Sequence, residues 1–79
     1  MNPLIKLKYL RLIKTYSHFK DAFAAMDMDG EIYIYSKEPA YKNGRWDFVT
    51  ACKLLAYAGK INDITEEDSR NSLTKLKTQ

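Results

Sequence analysis

Three acidic residues surround a glycine in one short segment, and they are the densest group of side chains that could do chemistry. Asp27, Asp29 and Glu31 flank Gly30. The spacing is similar to the opening of a calcium-binding EF-hand loop, but that loop needs glycine at its sixth position and a bidentate acid at its twelfth. The residues after Asp27 do not supply this arrangement. A tight turn explains the segment better, and a solvated turn tip has no pocket that could shift the pKa values of a catalytic acid pair.

Single copies of histidine and cysteine leave few other routes to catalysis. His18 is interpreted as a surface residue, and Cys52 as a buried, small apolar side chain. One cysteine excludes an internal disulfide and a cysteine-cluster zinc site. The sequence also lacks a glycine-rich phosphate loop and the GxSxG and HExxH motifs. We therefore predict a protein that is not an enzyme and that has no cofactor and no metal site.

Length and composition are typical of one small globular domain. The chain has 79 residues, of which 46% are hydrophobic and 29% are charged. Its apolar runs are too short for a membrane span. The lysines scattered through its first fourteen residues do not fit a signal peptide. We therefore expect a single domain over residues 1–79, in the cytoplasm and without a membrane partner.

A basic amphipathic helix is predicted within residues 1–20, a segment that contains no acid. Asn2 can cap a helix that begins at Pro3, because proline is well tolerated at the first helical position. The apolar residues that follow fall within about a third of the helix circumference. They are Ile5, Tyr9, Leu12, Ile13, Tyr16 and Phe19. This stripe predicts a helix over residues 3–18 that faces the core.

The other side of the same helix is also apolar. Leu4, Leu7 and Leu10 lie there, interleaved with Arg11 and Lys14. In one interpretation these leucines are covered by the sheet or singly exposed, which is ordinary on a protein surface. In the other they form a self-association or partner-binding face with a cationic rim. The sequence leaves both interpretations open.

The strongest local pattern is a β-hairpin centred on Asp29-Gly30. Strand-forming residues occupy 23–28 and 31–36, and Asp-Gly favours a two-residue type I′ turn. The predicted register pairs Met28 with Glu31, Met26 with Tyr33, and Ala24 with Tyr35. It places Met26, Tyr33 and Tyr35 on one face. The opposite, aliphatic face is the expected seat of the helix and carries Phe23, Ala25, Ile32 and Ile34.

Later segments complete the predicted fold. A second turn at Asn43-Gly44 places Tyr41 opposite Trp46. A strand at 53–58 then closes a three-stranded antiparallel sheet within residues 21–61, and a short helix before that strand stays open. We predict the α+β class, with an N-terminal helix, this three-stranded sheet and a short C-terminal helix.

The C-terminal helix is predicted from its cap. Thr65 is followed by three acids, including Asp68 at the position that completes a capping box. The pattern predicts a helix over residues 66–76, within a segment 64–76. Its only apolar anchors are Leu73 and Leu76, so we expect it to be weakly docked.

Four segments resemble a group of small, uncharacterised phage and prophage proteins: residues 26–39, 44–46, 55–61 and 70–73. The shared features are a D-x-D-G-x-[VI]-Y-x-[YF] hairpin, a K-x-P break, a tryptophan, a Y-x-G-x-[IV] strand and a C-terminal R-x-S-L helix. The chain departs from the group at Ser69, where tryptophan is usual. The resemblance implies a phage-encoded accessory protein that acts in the bacterial cytoplasm, without a defined activity.

The predicted function is a non-enzymatic module that binds a host or phage protein, with inhibition of a host enzyme or defence complex as one form of it. Tyrosine and tryptophan are frequent in protein interfaces. A stacking platform for nucleic acid is less consistent with the acidic neighbours Glu31, Glu38 and Asp47. The candidate partner-binding residues are Leu7, Leu10, Arg11, Lys14, Tyr33, Tyr35, Tyr41 and Trp46.

Two alternatives remain at this point. One is a small nucleic-acid-binding protein that uses the basic helix through Lys8, Arg11 and Lys14, although a net charge of +3 is mild for that role. The other is a homodimer formed through Leu4, Leu7 and Leu10.

Overall fold

Helix α1 spans Pro3–Lys14 in the computed structural model, which describes residues 1–77. The Asn2 side chain accepts a hydrogen bond from the backbone N–H of Leu4 at 2.8 Å, and Pro3 is the first helical residue, as predicted. The helix ends before the predicted residue 18. The N–H groups of Tyr16 and Ser17 donate to the carbonyl oxygens three residues back, of Ile13 and Lys14, which tightens the chain into turns.

Six strands are present in the described residues, and all of them pair in antiparallel fashion. Strands β1 (Phe23–Met26), β2 (Glu31–Tyr35), β5 (Leu54–Lys60) and β6 (Thr74–Lys75) form one sheet in the order β5-β2-β1-β6. Strands β3 (Ala40–Lys42) and β4 (Arg45–Asp47) form a two-stranded ribbon. The α+β class is therefore confirmed, with four-plus-two strands instead of three.

The ribbon forms at the predicted turn. Asn43 and Gly44 both have positive φ angles, 52° and 79°, as a type I′ turn requires. Tyr41 lies opposite Trp46, as predicted. These two strands pair only with each other, so they do not extend the main sheet.

The β1–β2 hairpin is confirmed, but its register differs from the predicted one. Its loop has three residues, because the N–H of Asp27 donates to the carbonyl oxygen of Glu31 at 2.9 Å and the N–H of Gly30 donates to that of Asp27 at 2.9 Å. Gly30 has a φ of 90°, which is the left-handed glycine of a three-residue hairpin loop. The predicted two-residue turn is therefore wrong.

This register changes which residues of β1 share a face with which residues of β2. Met26 pairs with Ile32, and Ala24 with Ile34. A shift of one residue exchanges the faces of a strand relative to its neighbour. The predicted position of Met26 beside Tyr33 and Tyr35 is therefore wrong. The helix-facing side instead carries Ala24, Met26, Ile32 and Ile34.

Helix α2 spans Glu66–Arg70, so it is much shorter than the predicted segment 64–76. Its capping box is present as predicted, with the N–H of Asp68 donating to Thr65 Oγ1 at 3.2 Å. The chain leaves the helix after Arg70 because residues 74–75 pair with β1 as β6.

The C-terminal segment is docked more firmly than its two leucines indicated. Ser69 and Ser72 are fully buried. Ser69 Oγ donates to the carbonyl oxygen of Met26 at 2.7 Å, and the N–H of Met26 donates to Ser72 Oγ at 2.8 Å. The N–H of Asn2 also donates to the Asp68 carboxylate at 2.7 Å. Polar contacts that the sequence pattern did not reveal therefore hold this segment against α1 and β1.

Two buried clusters lie on opposite sides of the main sheet. On the helix side, residues of α1 such as Ile5, Tyr9 and Ile13 pack against the aliphatic face. On the ribbon side, Tyr35 and Trp46 pack around Ala25. The Cα atoms of the described residues span 29 × 28 × 16 Å along the principal axes.

Candidate protein-binding surfaces

The outer side of α1 is an exposed surface of alternating leucines and cations. Leu4, Leu7 and Leu10 are 70%, 48% and 41% exposed, because Ile5, Tyr9 and Ile13 on the opposite side of the helix occupy the core. Residues three apart lie on successive turns, so the leucines form a line. We call this surface the leucine–cation face; it consists of these three leucines with the exposed Lys6, Lys8, Arg11 and Lys14.

The leucine–cation face is mostly positive, although Leu4 and Lys8 at its N-terminal end also line a recess with Asp63, Glu67 and Asp68. Residues 1–20 contain no acid, and the four cations form no ion pair within 4.0 Å with any of residues 1–77. Lys8 and Arg11 border a shallow recess that Lys60 also lines. The acid in that recess is Asp63, on the loop beyond β5. The candidate residues Leu7, Leu10, Arg11 and Lys14 are thus together on one accessible surface.

Two of the four predicted aromatic site residues are internal. Tyr35 and Trp46 are only 3% and 9% exposed. The Tyr35 hydroxyl donates to the carbonyl oxygen of Trp46 at 3.3 Å, and Trp46 Nε1 donates to that of Ser69 at 3.1 Å. Burial raises the pKa of Tyr35 well above its usual range. We therefore assign Tyr35 and Trp46 to the fold and correct their assignment to a binding surface.

The other two aromatic candidates differ from each other. Tyr41 is half-buried and packs edge-on against Trp46, with 4.9 Å between ring centroids. Its hydroxyl oxygen is buried and has no hydrogen-bond partner among the described residues. Tyr33 is half-buried but stays at the surface of the sheet, beside Tyr57, with 5.3 Å between centroids. Tyr33 and Tyr41 are thus partly exposed, whereas Tyr35 and Trp46 are buried.

A second exposed surface lies around Tyr33, and its other members are not among the predicted partner-binding residues. Phe48, Leu54 and Tyr57 are 57%, 49% and 48% exposed. Leu54 lies opposite Tyr35 in the sheet register, and the Phe48 ring packs on the Tyr35 ring at 5.7 Å. We call Tyr33, Phe48, Leu54 and Tyr57 the aromatic face.

Part of the aromatic face could have been found in the sequence. Leu54 and Tyr57 lie in the predicted strand at 53–58, and pairing that strand with β2 would have placed them beside Tyr33 and Tyr35. Phe48 carries no such signal, because it lies in the irregular segment between the ribbon and β5.

Carboxylates surround the aromatic face. Burial raises the pKa of Tyr33, and the negative charges of Glu31, Asp27 and Asp29 raise it further, while Arg45 opposes them. The Glu31 carboxylate favours the neutral phenol of Tyr57 and raises its pKa to about 12. Acids therefore lie around these rings, whereas cations line the exposed side of α1.

The aspartates at the turn between β1 and β2 accept hydrogen bonds from the backbone. Asp27 is buried and accepts a hydrogen bond from the backbone N–H of Trp46 at 2.8 Å. Asp29 accepts one from the N–H of Glu31 at 3.0 Å. Burial raises the pKa of Asp27. In residues 1–77, no group of three His, Cys, Asp or Glu side chains is placed to hold a metal ion.

The single histidine and cysteine lie apart from these surfaces. His18 is exposed, and its ring packs on that of Phe19 with 4.4 Å between centroids. Cys52 is half-buried against the ribbon-side cluster. Among the helices of the described chain, none has the length and apolar character needed to cross a membrane.

No protein-family model matches the chain, and no curated protein or solved structure matches it either.

Proposed function

We propose that this chain is a non-enzymatic protein-binding module and that its contact surface is the leucine–cation face of α1. The observation that carries the proposal is the line formed by Leu4, Leu7 and Leu10, which stay exposed although α1 already fills the core with its other side. A complementary partner would contact the leucines with apolar side chains and the surrounding cations with acidic ones. The partner surface with this chemistry is an apolar groove with an acidic rim, a common way of binding one side of a helix.

The resemblance to small phage and prophage proteins bears on where this binding takes place and on the kind of partner. It favours an accessory protein in the bacterial cytoplasm, with a host or phage protein as the partner. Inhibition of a host enzyme or defence complex is one form that such binding takes.

Nucleic-acid binding by the same helix is the second candidate. The observation that favours it is the recess where Lys8, Arg11 and Lys60 lie together, with only Asp63 as a counter-charge. A phosphate backbone would satisfy these cations. It would leave the three leucines exposed to water, which is why we rank a protein partner first.

Two sets of substitutions separate the candidates. Leu7→Gln/Leu10→Gln removes apolar surface and keeps every charge, whereas Lys8→Gln/Arg11→Gln/Lys14→Gln removes charge and keeps the leucines. Lys37→Gln/Lys42→Gln is a control on exposed lysines away from α1. Tagged wild type and variants are used for affinity capture from bacterial lysate, with mass spectrometry of the retained proteins, and for titration with labelled DNA and RNA at low salt.

Protein binding predicts a partner that wild type and control retain and that the leucine variant loses. Loss of that partner only in the cation variant, together with salt-sensitive binding of DNA or RNA that the leucine variant keeps, would instead favour nucleic acid. If the leucine variant and wild type retain the same proteins, the leucine–cation face is not the contact surface and the proposed function is wrong.

A further inference from the structure

The two exposed apolar surfaces lie on opposite sides of the molecule. The leucine–cation face is the outer side of α1, which covers the aliphatic side of the main sheet. The aromatic face lies on the other side of that sheet, next to the cluster of Tyr35 and Trp46. Each side of the main sheet therefore presents one of the two surfaces.

The two surfaces have opposite charge. The leucine–cation face has four exposed cations and no acid in its segment. Around the aromatic face, Asp29, Glu31 and Asp47 lie near the rings, with Asp27 buried beneath them. Two cations oppose these acids: Arg45, and Lys60, which is 3.9 Å from Glu31. The three accessible acids outnumber these two cations by one.

We propose that this chain binds a second copy of itself head to tail, with the leucine–cation face of one molecule on the aromatic face of the next. The proposal rests on the proposed function, because it names a second copy as one occupant of the same α1 surface. Leucines of one copy then meet rings of the other, and lysines and Arg11 meet carboxylates. Complementary charges favour this pairing.

A symmetric dimer through α1 is disfavoured by the same charges. Pairing two leucine–cation faces places four cations opposite four cations, and juxtaposed like charges oppose association. Head-to-tail pairing avoids this repulsion. Because the two faces lie on opposite sides, each bound pair still has one free face of each kind, so association continues beyond the dimer.

The expected association is weak. A standard protein interface covers roughly 800 Å² on each partner, which is about 15% of the 5227 Å² accessible surface of this molecule. The leucine–cation face covers only part of its side. Dissociation constants from about 100 µM to about 1 mM are therefore expected, and a tighter partner for the α1 surface would displace the second copy.

Sedimentation velocity of the full chain, from about 20 µM to about 1 mM, tests the proposal. The helix variant is Leu7→Gln/Leu10→Gln, and the sheet variant is Phe48→Gln/Leu54→Gln; both change only exposed side chains. The exposed Met28, at the tip of the β1–β2 hairpin and outside both faces, gives the control Met28→Gln. Circular dichroism confirms that each variant has the wild-type fold before it is compared.

Head-to-tail binding predicts that wild type and control sediment faster as concentration rises, whereas each variant alone stays monomeric. An equal mixture of the two variants is expected to form dimers and nothing larger, because the intact sheet side of one variant meets the intact helix side of the other. Raising the salt concentration from about 0.05 M to about 0.5 M is expected to weaken wild-type association.

Three results would overturn the proposal: monomeric wild type at about 1 mM, a sheet variant that associates as strongly as wild type, or association that salt strengthens. Monomeric wild type combined with a lysate partner that only the helix variant loses would overturn self-association and leave the proposed function standing. Self-association as described, with lysate capture unchanged in the helix variant, would support the head-to-tail contact and refute binding of a lysate protein there.

Discussion

The two sides of the main sheet are held by different interactions. On the helix side, Ile32 and Ile34 are fully buried against α1, and the contact is apolar, with the Tyr9 ring packed among aliphatic side chains. On the ribbon side, the buried rings of Tyr35 and Trp46 depend on hydrogen bonds to groups far away in the sequence. Close packing of apolar side chains thus secures one side, and a polar network secures the other. Substitutions on the two sides of the sheet are therefore expected to lower the free energy of unfolding for different reasons.

The largest loss of stability is expected on the helix side. Ile34→Ala would leave a cavity where a fully buried side chain now contacts the α1 cluster, at a cost of about 2–5 kcal/mol in the free energy of unfolding. Urea denaturation measures it, with the exposed Leu4→Ala as the matched control. A loss below about 1 kcal/mol would show that the helix side is not the main source of stability.

On the ribbon side, the expected loss comes from a hydrogen bond. Trp46→Phe keeps a ring but removes the indole N–H that the Ser69 carbonyl oxygen accepts. That oxygen still accepts from Ser72, so the expected cost of the lost hydrogen bond is about 0.5–1.5 kcal/mol. Tyr41→Phe removes a buried hydroxyl that has no partner in the described chain, so its effect is expected within about 0.5 kcal/mol of zero or stabilising. Equal losses in the free energy of unfolding for the two variants would contradict the claim that hydrogen bonds stabilise the ribbon side.

Two carboxylates sharpen the comparison through their opposite dependence on pH. The backbone N–H groups of Thr65 and Asn2 donate to the Asp68 carboxylate and lower its pKa in the folded protein. The stability that these bonds contribute is therefore present above the pKa of an unfolded aspartate, near 3.9, and is lost as the pH falls through the folded-state pKa of Asp68. Burial raises the pKa of Asp27 in the folded protein. The contribution of Asp27 to the free energy of unfolding is therefore present below the pKa of an unfolded aspartate and is lost as the pH rises through the folded-state pKa of Asp27.

Asparagine substitutions separate these two effects. Asp68→Asn keeps only one of the two acceptor oxygens and is expected to lower the free energy of unfolding at pH 7 by about 1 kcal/mol. Asp27→Asn keeps an oxygen for the N–H of Trp46 and loses the buried charge, so no loss, or a small gain, is expected at pH 7. Urea denaturation at pH 7 and at a series of pH values below about 3.9, over which the Asp68 difference is expected to shrink as the pH falls, measures both. A destabilised Asp27→Asn at pH 7 would contradict this account of Asp27.

The smallest expected effect on stability is at the leucine–cation face. Leu7→Gln/Leu10→Gln changes exposed side chains that the core does not use, so the free energy of unfolding is expected to stay within about 0.5 kcal/mol of wild type. Thermal and urea denaturation measure it. A loss comparable to that of Ile34→Ala would place these leucines in the fold and remove the basis for a binding surface.

The sequence predicted what depends on local pattern. The stripe containing Ile5, Tyr9 and Ile13, the Asn2 and Thr65 caps and the Tyr41–Trp46 pair each follow from residues close together in the chain. The hairpin register was missed, because two- and three-residue loops are both compatible with Asp29-Gly30.

Contacts between distant segments decided the rest. Trp46 is buried because Asp27, 19 residues away, and Ser69, 23 residues away, bind its two N–H groups. No local pattern contains that information, so Tyr35 and Trp46 were assigned to a binding surface. The leucines of α1 were identified correctly as surplus to the core, because their position on the helix follows from spacing alone.

Methyl NMR of the leucine-labelled wild-type chain, recorded as the protein is concentrated, tests the central claim most directly. The account predicts that the methyl signals of Leu7, Leu10 and Leu54 shift together, because both outer faces enter the same contact, while the buried Leu76 stays unchanged. Shifts of Leu7 and Leu10 without Leu54, or spectra that do not change with concentration, would contradict it.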